Sequence, residues 1–174
     1  VPLVVAITTA KGARNGVLVR DRLALEASRK IDTVIFDKTG TLTEGKFGVV
    51  DLLPVGEISE EQLLKKSAAV ERDSEHLLAR AILSAAEERD LDLPSASKFK
   101  AIKGRGVQAE IDGETHYLGG PQLLEMLDQE LPSPIREFST RSGQKARTVL
   151  YLISSGEILG TFAVADVIRP ESKQ

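Results

Sequence analysis

Cysteine is absent from the 174 residues, which excludes disulfides and cysteine-ligated metal sites in this chain and is compatible with a reducing compartment. Aromatic residues are only 4% of the sequence, so a core must be built from aliphatic side chains. No excess of positive charge exists: the net charge is −3 and the pI about 5.5, and neither supports a nucleic-acid partner. Long hydrophobic runs are also missing. Val1 to Ala10 is apolar, but Lys11 and Arg14 interrupt it well short of the roughly 20 residues that a spanning helix needs. A signal peptide would carry its positive charges before the apolar stretch rather than after it. No internal repeat or low-complexity tract is evident. What remains is 41% hydrophobic residues, enough for one medium domain or for a small domain with part of another.

The most informative stretch is Asp37-Lys38-Thr39-Gly40-Thr41-Leu42-Thr43, which follows the apolar run Thr33-Val34-Ile35-Phe36. Open α/β sheets bind ligands at the carboxyl ends of their strands. An aspartate there can act as a nucleophile and form an acyl-phosphate, while the glycine and the hydroxyls of Thr39 and Thr41 suit a loop that wraps phosphate oxygens. A plain Asp-Gly turn is the ordinary reading of such residues taken singly; the full string favours a phosphorylation loop. Gly40 to Phe47 nearly has the spacing of a P-loop, but Phe47 stands where a hydroxyl must meet magnesium, and the residues that follow read as a strand rather than a helix. That chemistry is excluded.

The string resembles the signature of the P-type ATPases, ion pumps that cycle through an aspartyl-phosphate. On that resemblance Asp37 is the nucleophile, Lys38, Thr39 and Thr41 belong to the catalytic loop, and Asp37 with the Thr39 carbonyl supplies part of a magnesium site. A phosphatase of the haloacid dehalogenase superfamily is the rival reading. Its motif usually has a second aspartate two positions after the first, where this chain has Thr39. Thr39 cannot protonate a leaving group or activate water as a carboxylate can, which favours a longer-lived phosphoenzyme.

Periodicity places the other elements. Asp21 to Lys30 suits a short helix and Val34 to Phe36 a buried strand. Lys46 to Leu53 reads as a further strand. Ser59-Glu60-Glu61-Gln62 is a capping-box pattern that opens a helix toward Arg72. A second helix runs from about Glu75 to Arg89, with Leu78, Ile82 and Ala86 on one face. Gly106 to Ile111 and Thr115 to Leu118 flank Asp112-Gly113, a hairpin signal. Pro121 can open a short helix through Met126. Residues 131–143 read as a polar, exposed excursion, and Thr148 to Ile153 with Ile158 to Ala165 as a second hairpin. The predicted fold is α/β: an incomplete Rossmann-like, haloacid dehalogenase-type phosphorylation domain interrupted by an α+β domain, an antiparallel sheet with helices on one side. The resemblance to heavy-metal pumps of the P-type family implies four segments: 1–17 as the cytosolic end of a transmembrane helix, 18–46 and 164–174 as parts of the phosphorylation domain, and 47–163 as the insertion.

Within the insertion, Ser74 as a helix cap would put Glu75 and His76 in the first turn, able to meet a base. Gly104 and Gly106 remove side chains so that a flat ligand can approach backbone. Each piece alone has a plainer account in helix-dipole or turn chemistry. Together they resemble the nucleotide-binding domain of heavy-metal-transporting P-type ATPases, which has a Ser-Glu-His-Pro segment and a Gly-x-Gly turn around adenine. The resemblance implies nucleotide-binding roles for Glu75, His76, Gly104, Gly106 and, more weakly, Gly119; Gly120 and Leu77 depart from the family's asparagine and proline. Asp166-Val167-Ile168-Arg169 resembles the Asp-x-x-Arg segment on the return to the phosphorylation domain, so Asp166 and Arg169 are expected at the hinge and in the nucleotide environment.

The implied protein is an ATP-driven heavy-metal cation transporter, a multi-pass protein of the cell membrane with this segment on the cytoplasmic side. ATP and Mg²⁺ would be its cofactors, and the transported cation and the membrane and actuator domains of the same polypeptide its partners. The family's remaining magnesium and phosphate motifs would follow Gln174, so this piece alone is expected to be nearly inactive. A phosphohydrolase of the dehalogenase type and a non-enzymatic nucleotide-binding module are the alternatives.

Overall fold

The computed structural model describes residues 2–173. Val1 and Gln174, at the outer ends of the first and last expected segments, lie outside the described residues. Two compact units are present, Val1–Asp37 and Lys38–Gln174.

In the first unit, helix α1 (Pro2–Arg14) gives way to Gly16 at φ +77°, a conformation open to glycine because it lacks a Cβ. Helix α2 (Arg22–Ala27) begins where the Asp21 carboxylate accepts the N–H groups of Leu23 and Ala24, at 2.8 and 3.5 Å. A 3₁₀ turn over Ser28–Lys30 continues it, so the expected helix is there. The expected buried strand is not. Val34, Ile35 and Phe36 have no regular structure and are exposed. A strand exists only through a ladder of hydrogen bonds to a neighbour, and among the described residues nothing pairs with this segment.

The second unit is built on one six-stranded antiparallel sheet. Its strands are β1 (Thr43–Pro54), β2 (Ala96–Ile102), β3 (Gly106–Ile111), β4 (Glu114–Gly119), β5 (Thr148–Ser154) and β6 (Glu157–Ile168), in the spatial order β1-β6-β5-β4-β3-β2. Two hairpins turn on residues that accept positive φ: Asp112 and Gly113 join β3 to β4, and Ser155 and Gly156 join β5 to β6. Two-residue loops of this kind match the twist of the strands they connect. β2 carried no alternating signal, because Lys98 at φ +52° breaks its register against β3 between Ser97 and Lys100.

Helices cover both faces, which corrects the one-sided arrangement. Helices α3 (Glu60–Glu71) and α4 (Leu77–Glu87) pack Leu63, Leu64, Val70 and Ile82 against Leu118, Leu150, Leu152, Phe162 and Val164. On the opposite face α5 (Pro121–Met126) and α6 (Ser133–Gln144) bring Leu123, Leu124 and Ile135 to Tyr151, Ile153 and Ile158. β5 is apolar at successive positions because it is buried on both sides. The supposed excursion at 131–143 is therefore mostly helix α6. Its buried Ile135, Phe138 and Ser142 follow helical spacing, but polar neighbours and Gly143 dilute that stripe in the sequence. The boundaries expected at 46/47 and 163/164 fall inside β1 and β6, which pair along nearly their whole length.

Candidate functional site

Asp37 closes the first unit and Lys38 opens the second, so the geometry of the loop is that of Lys38–Thr43. Lys38–Leu42 forms a wide turn in which Thr39 is extended (φ −78°, ψ 120°) and Gly40 lies at φ +79°. Lys38, Thr39, Gly40 and Thr41 are exposed. Thr43 is the buried keystone: its hydroxyl accepts the Gly40 N–H at 3.2 Å and reaches the Lys38 carbonyl at 3.0 Å and the Asp166 carboxylate. Arg169 clasps the same turn. Its Nε donates to the Thr43 carbonyl at 3.0 Å, a terminal guanidinium nitrogen donates to the Gly40 carbonyl at 3.3 Å, and its backbone N–H donates to the Leu42 carbonyl at 3.0 Å.

Asp166 and Arg169 thus sit on the Lys38–Thr43 turn, and neither lines the groove that gathers His76, Gly104, Gly106 and Gly119. The second oxygen of Asp166 is buried without a partner. Asp166 also lines a cavity of about 650 Å³, together with Lys38, Thr43, Lys145 and Arg147.

The groove, about 780 Å³, is lined by His76, Gly104, Gly106, Gly119 and Gly120, together with Glu71, Ser139, Arg147 and Tyr151. His76 is itself the N-cap of α4, with Nδ1 accepting the Leu78 N–H at 3.2 Å. Ser74 is not the cap; its hydroxyl accepts the His76 N–H at 3.3 Å. The capping bond fixes the imidazole proton on Nε2, a donor on the far edge of the ring. Leu77 occupies the first helical position, where proline is well tolerated because that N–H has no partner inside the helix. The departure from proline therefore leaves the start of α4 intact.

Gly104, at φ +72° in the turn closed by the Arg105 N–H on the Ile102 carbonyl, has open space where a side chain would begin. Gly106 and Gly119 are different: they face each other across β3 and β4, and a Cβ on either would overlap the opposite backbone. Those two glycines serve strand packing first. Gly120, the N-cap of α5, makes no side-chain cap.

Glu75 is exposed and does not line the groove. The carboxylate there is Glu71, which the sequence reading missed. It is buried, one of its oxygens has no partner, and desolvation raises its pKa above the ordinary carboxylate range, with the Ser74 hydroxyl and His76 opposing that shift. An acidic residue on the stripe Leu64-Ser67-Ala68-Glu71 of a buried helix was the available signal. Ser139 and Tyr151, linked by a 2.9 Å hydrogen bond between their hydroxyls, close the other wall and had no signature.

Among the described residues no group of three or more His, Asp or Glu side chains is placed to hold a metal. Magnesium in phosphate-handling sites uses one or two carboxylates, with phosphate oxygens and waters completing its octahedron. By chemistry alone, the Asp37 carboxylate and the Thr39 carbonyl are oxygen donors of that kind.

A turn that offers hydroxyls and amides after an aspartate, held by an Asp-x-x-Arg segment, defines a phosphoryl-handling class. Residues 31–174 match the haloacid dehalogenase-like hydrolases, and the chain belongs to that family. Within it, the chain matches the nucleotide-binding and phosphorylation region of heavy-metal P-type ATPases. Copper-exporting P-type ATPase B of Archaeoglobus fulgidus is 41% identical over 174 residues, which is all of this chain and 24% of that protein. The crystal structure of a zinc-transporting PIB-type ATPase in its E2.Pi state superposes with a TM-score of 0.84 at 32% identity, covering 97% of this chain and 27% of that one. The catalytic domain of the CPx-ATPase CopB-B, studied for its changes upon nucleotide binding, gives 0.62 at 26% identity, covering 93% of this chain and 55% of that one. The chain spans about a quarter of the length of the curated relatives it matches. No helix among the described residues is long and apolar enough to cross a membrane.

Proposed function

We propose that this chain is the ATP-handling part of a heavy-metal-exporting pump, which binds adenine in the Glu71–Gly104 groove and receives the γ-phosphoryl group on Asp37. The observation that carries this reading is the buried, partnerless oxygen of Glu71 in a groove edged by an imidazole donor and an open glycine turn. A desolvated acceptor without a partner costs about 1–3 kcal/mol, and the exocyclic amine of adenine would satisfy it. The His76 ring offers Nε2–H and a face for the base, and Gly104 lets the ring lie against backbone.

For transfer, a carboxylate oxygen of Asp37 attacks the γ-phosphorus and the bond to the β,γ-bridging oxygen breaks, leaving ADP. Lys38 and the amides of the wide turn would supply donors for the developing charge, and Thr43 with Arg169 holds that turn in shape. When bound at Asp37 and the Thr39 carbonyl, magnesium would neutralise phosphate oxygens. Thr39 leaves the loop without a carboxylate to activate water, so the acyl-phosphate persists, as a pump coupled to cation export requires. In the whole protein this segment would lie on the cytoplasmic side of the membrane, with membrane-spanning and actuator domains of the same polypeptide as its partners; the cation is a heavy metal, copper or zinc by the names of the relatives.

NMR titration of the 174-residue chain with ATP, ADP and AMP tests the groove. Resonances of Glu71, His76 and Gly104 should shift with all three, at dissociation constants on the order of 10 μM to 1 mM; unmoved resonances at saturating ATP would refute the assignment. In the whole pump, Asp37→Asn should abolish the hydroxylamine-sensitive phosphoenzyme, because an amide is too poor a nucleophile.

A further inference from the structure

Among the described residues Arg147 alone lines both cavities, the groove with Glu71 and Gly104 and the cavity that holds Lys38, Lys145 and Asp166. Its position is set by the way α6 stops. The N–H of Ala146 bonds to the Gly143 carbonyl at 2.9 Å and that of Arg147 to the Ser142 carbonyl at 3.1 Å, with Ala146 at φ +52°. This is a Schellman-type ending with alanine at the left-handed position that glycine usually takes. These two hydrogen bonds, made despite the strain at Ala146, hold the Arg147 backbone at the boundary of the two cavities.

Arg147 does not spend its charge on a bond of its own. Its guanidinium lies 3.6 Å from the carboxylate oxygen of Asp51 that Arg141 also approaches, at 3.5 Å. Two cations share one acceptor atom. Asp51 stays paired if one arginine leaves, so Arg147 can turn to another anion without stranding a carboxylate. Lys145, two residues earlier, adds a second cation on the loop side.

We propose that Arg147 grips the polyphosphate of the nucleotide as it passes from the groove toward the Lys38–Thr43 loop, exchanging Asp51 for phosphate oxygens and leaving Asp51 to Arg141. It thereby sets the preference of the groove for a nucleoside triphosphate over the nucleoside. This inference rests on the adenine reading of the groove and assigns the phosphate-selective element within it. A guanidinium is suited to the role because its fork of donors matches phosphate geometry and it stays charged throughout the physiological range.

Calorimetric titration of the 174-residue chain with adenosine and with ATP, both without magnesium, tests it. The wild-type chain should bind ATP more tightly than adenosine. Arg147→Met should lower ATP affinity about tenfold, the scale of one charge-assisted hydrogen bond, and so collapse the ratio of the two affinities. Arg147→Lys should recover part of that ratio, and Asp51→Asn should raise ATP affinity by about threefold by removing the competing anion. A two-dimensional amide spectrum of each variant reports that β5 is folded. An ATP-to-adenosine ratio near one in wild type, a ratio that survives Arg147→Met, or equal loss of both ligands in that variant would overturn the phosphate role. A fall in ATP affinity on Asp51→Asn would overturn the exchange. Failure of both ligands to bind the wild-type chain would instead remove the adenine reading and this inference with it.

Discussion

Glu71 and His116 are buried titratable residues whose burial works in opposite directions along the pH axis. Glu71 has its folded pKa raised above the ordinary 4.5 by desolvation, so the folded chain binds more protons than the unfolded one between those two values. Its contribution to stability is fully present below pH 4.5 and is lost as pH rises through the folded value. Glu71→Gln should therefore raise the urea midpoint at neutral pH, flatten its dependence on pH, and weaken adenine binding; equal midpoints at pH 4 and pH 8 in both proteins would contradict the burial account. His116 is fully buried on β4, with Nδ1 3.0 Å from the Glu114 carbonyl and Nε2 3.2 Å from the Lys66 ammonium. Lys66 donates only, so Nε2 accepts and the proton sits on Nδ1. Burial, with Lys66 adding to it, pushes the pKa below its usual 6.5; stability from this residue is present above that pH and declines as pH falls toward the folded value. Substituting His116 by glutamine should remove that slope, read from unfolding curves between pH 5 and 7. Arg169 acts on conformation rather than titration. Arg169→Met should cost about 1 kcal/mol in stability and should speed amide exchange at Gly40 well before it affects β5.

At the level of elements, the signals that proved readable were local and chemical. Ser59 and Gln62 exchange the reciprocal hydrogen bonds of a capping box, and Ser59→Ala should cost about 1 kcal/mol. Asp112-Gly113 turns where its residue types require. Elements that depend on distant partners were harder to read. α6 shows a thin stripe in a polar sequence, yet Phe138 is 4% exposed, and Phe138→Ala should destabilise the second unit by about 3–5 kcal/mol, measured by denaturant unfolding. Val34 to Phe36 has strand composition, but composition supplies no ladder. The candidate site divides the same way. Asp37 to Thr43 is a contiguous string and was legible whole. The groove is assembled from α3, α4, the β2–β3 turn, β4, α6 and β5, and only its glycine turn, His76 and Gly119 announced themselves. Glu71 was hidden because a buried glutamate on an apolar helix face looks like one more helix-favouring residue. The two kinds of glycine separate by substitution: Gly104→Ala should keep the fold with about 1 kcal/mol of backbone strain and weaker nucleotide binding, whereas Gly106→Ala should prevent β3 from closing on β4. A soluble, folded Gly106→Ala chain, seen by circular dichroism and gel filtration, would count against the packing reason given for that glycine.

For the whole molecule, the strand pair β1 and β6 matters most. Its rungs run from Thr43 opposite Ile168 to Pro54 opposite Gly160, with the register shifting between Thr43 and Phe47. Further along, the same strands bury Phe162 and Val164 in the main core. The Lys38–Leu42 turn therefore leads directly into the terminal rung of the ribbon that organises the sheet, and its shape depends on side chains many residues away. Thermal denaturation followed at Gly40 and at Phe162 should show a single midpoint, one cooperative event. Two separate midpoints would mean that the irregular stretch Glu44–Lys46 insulates the turn from the sheet. If the ribbon transmits as its pairing implies, lesions that only loosen the sheet would disorder Lys38–Leu42 as completely as a change within that turn, and substitutions that speed amide exchange at Gly40 should scatter along β1 and β6 as well as falling in the turn itself.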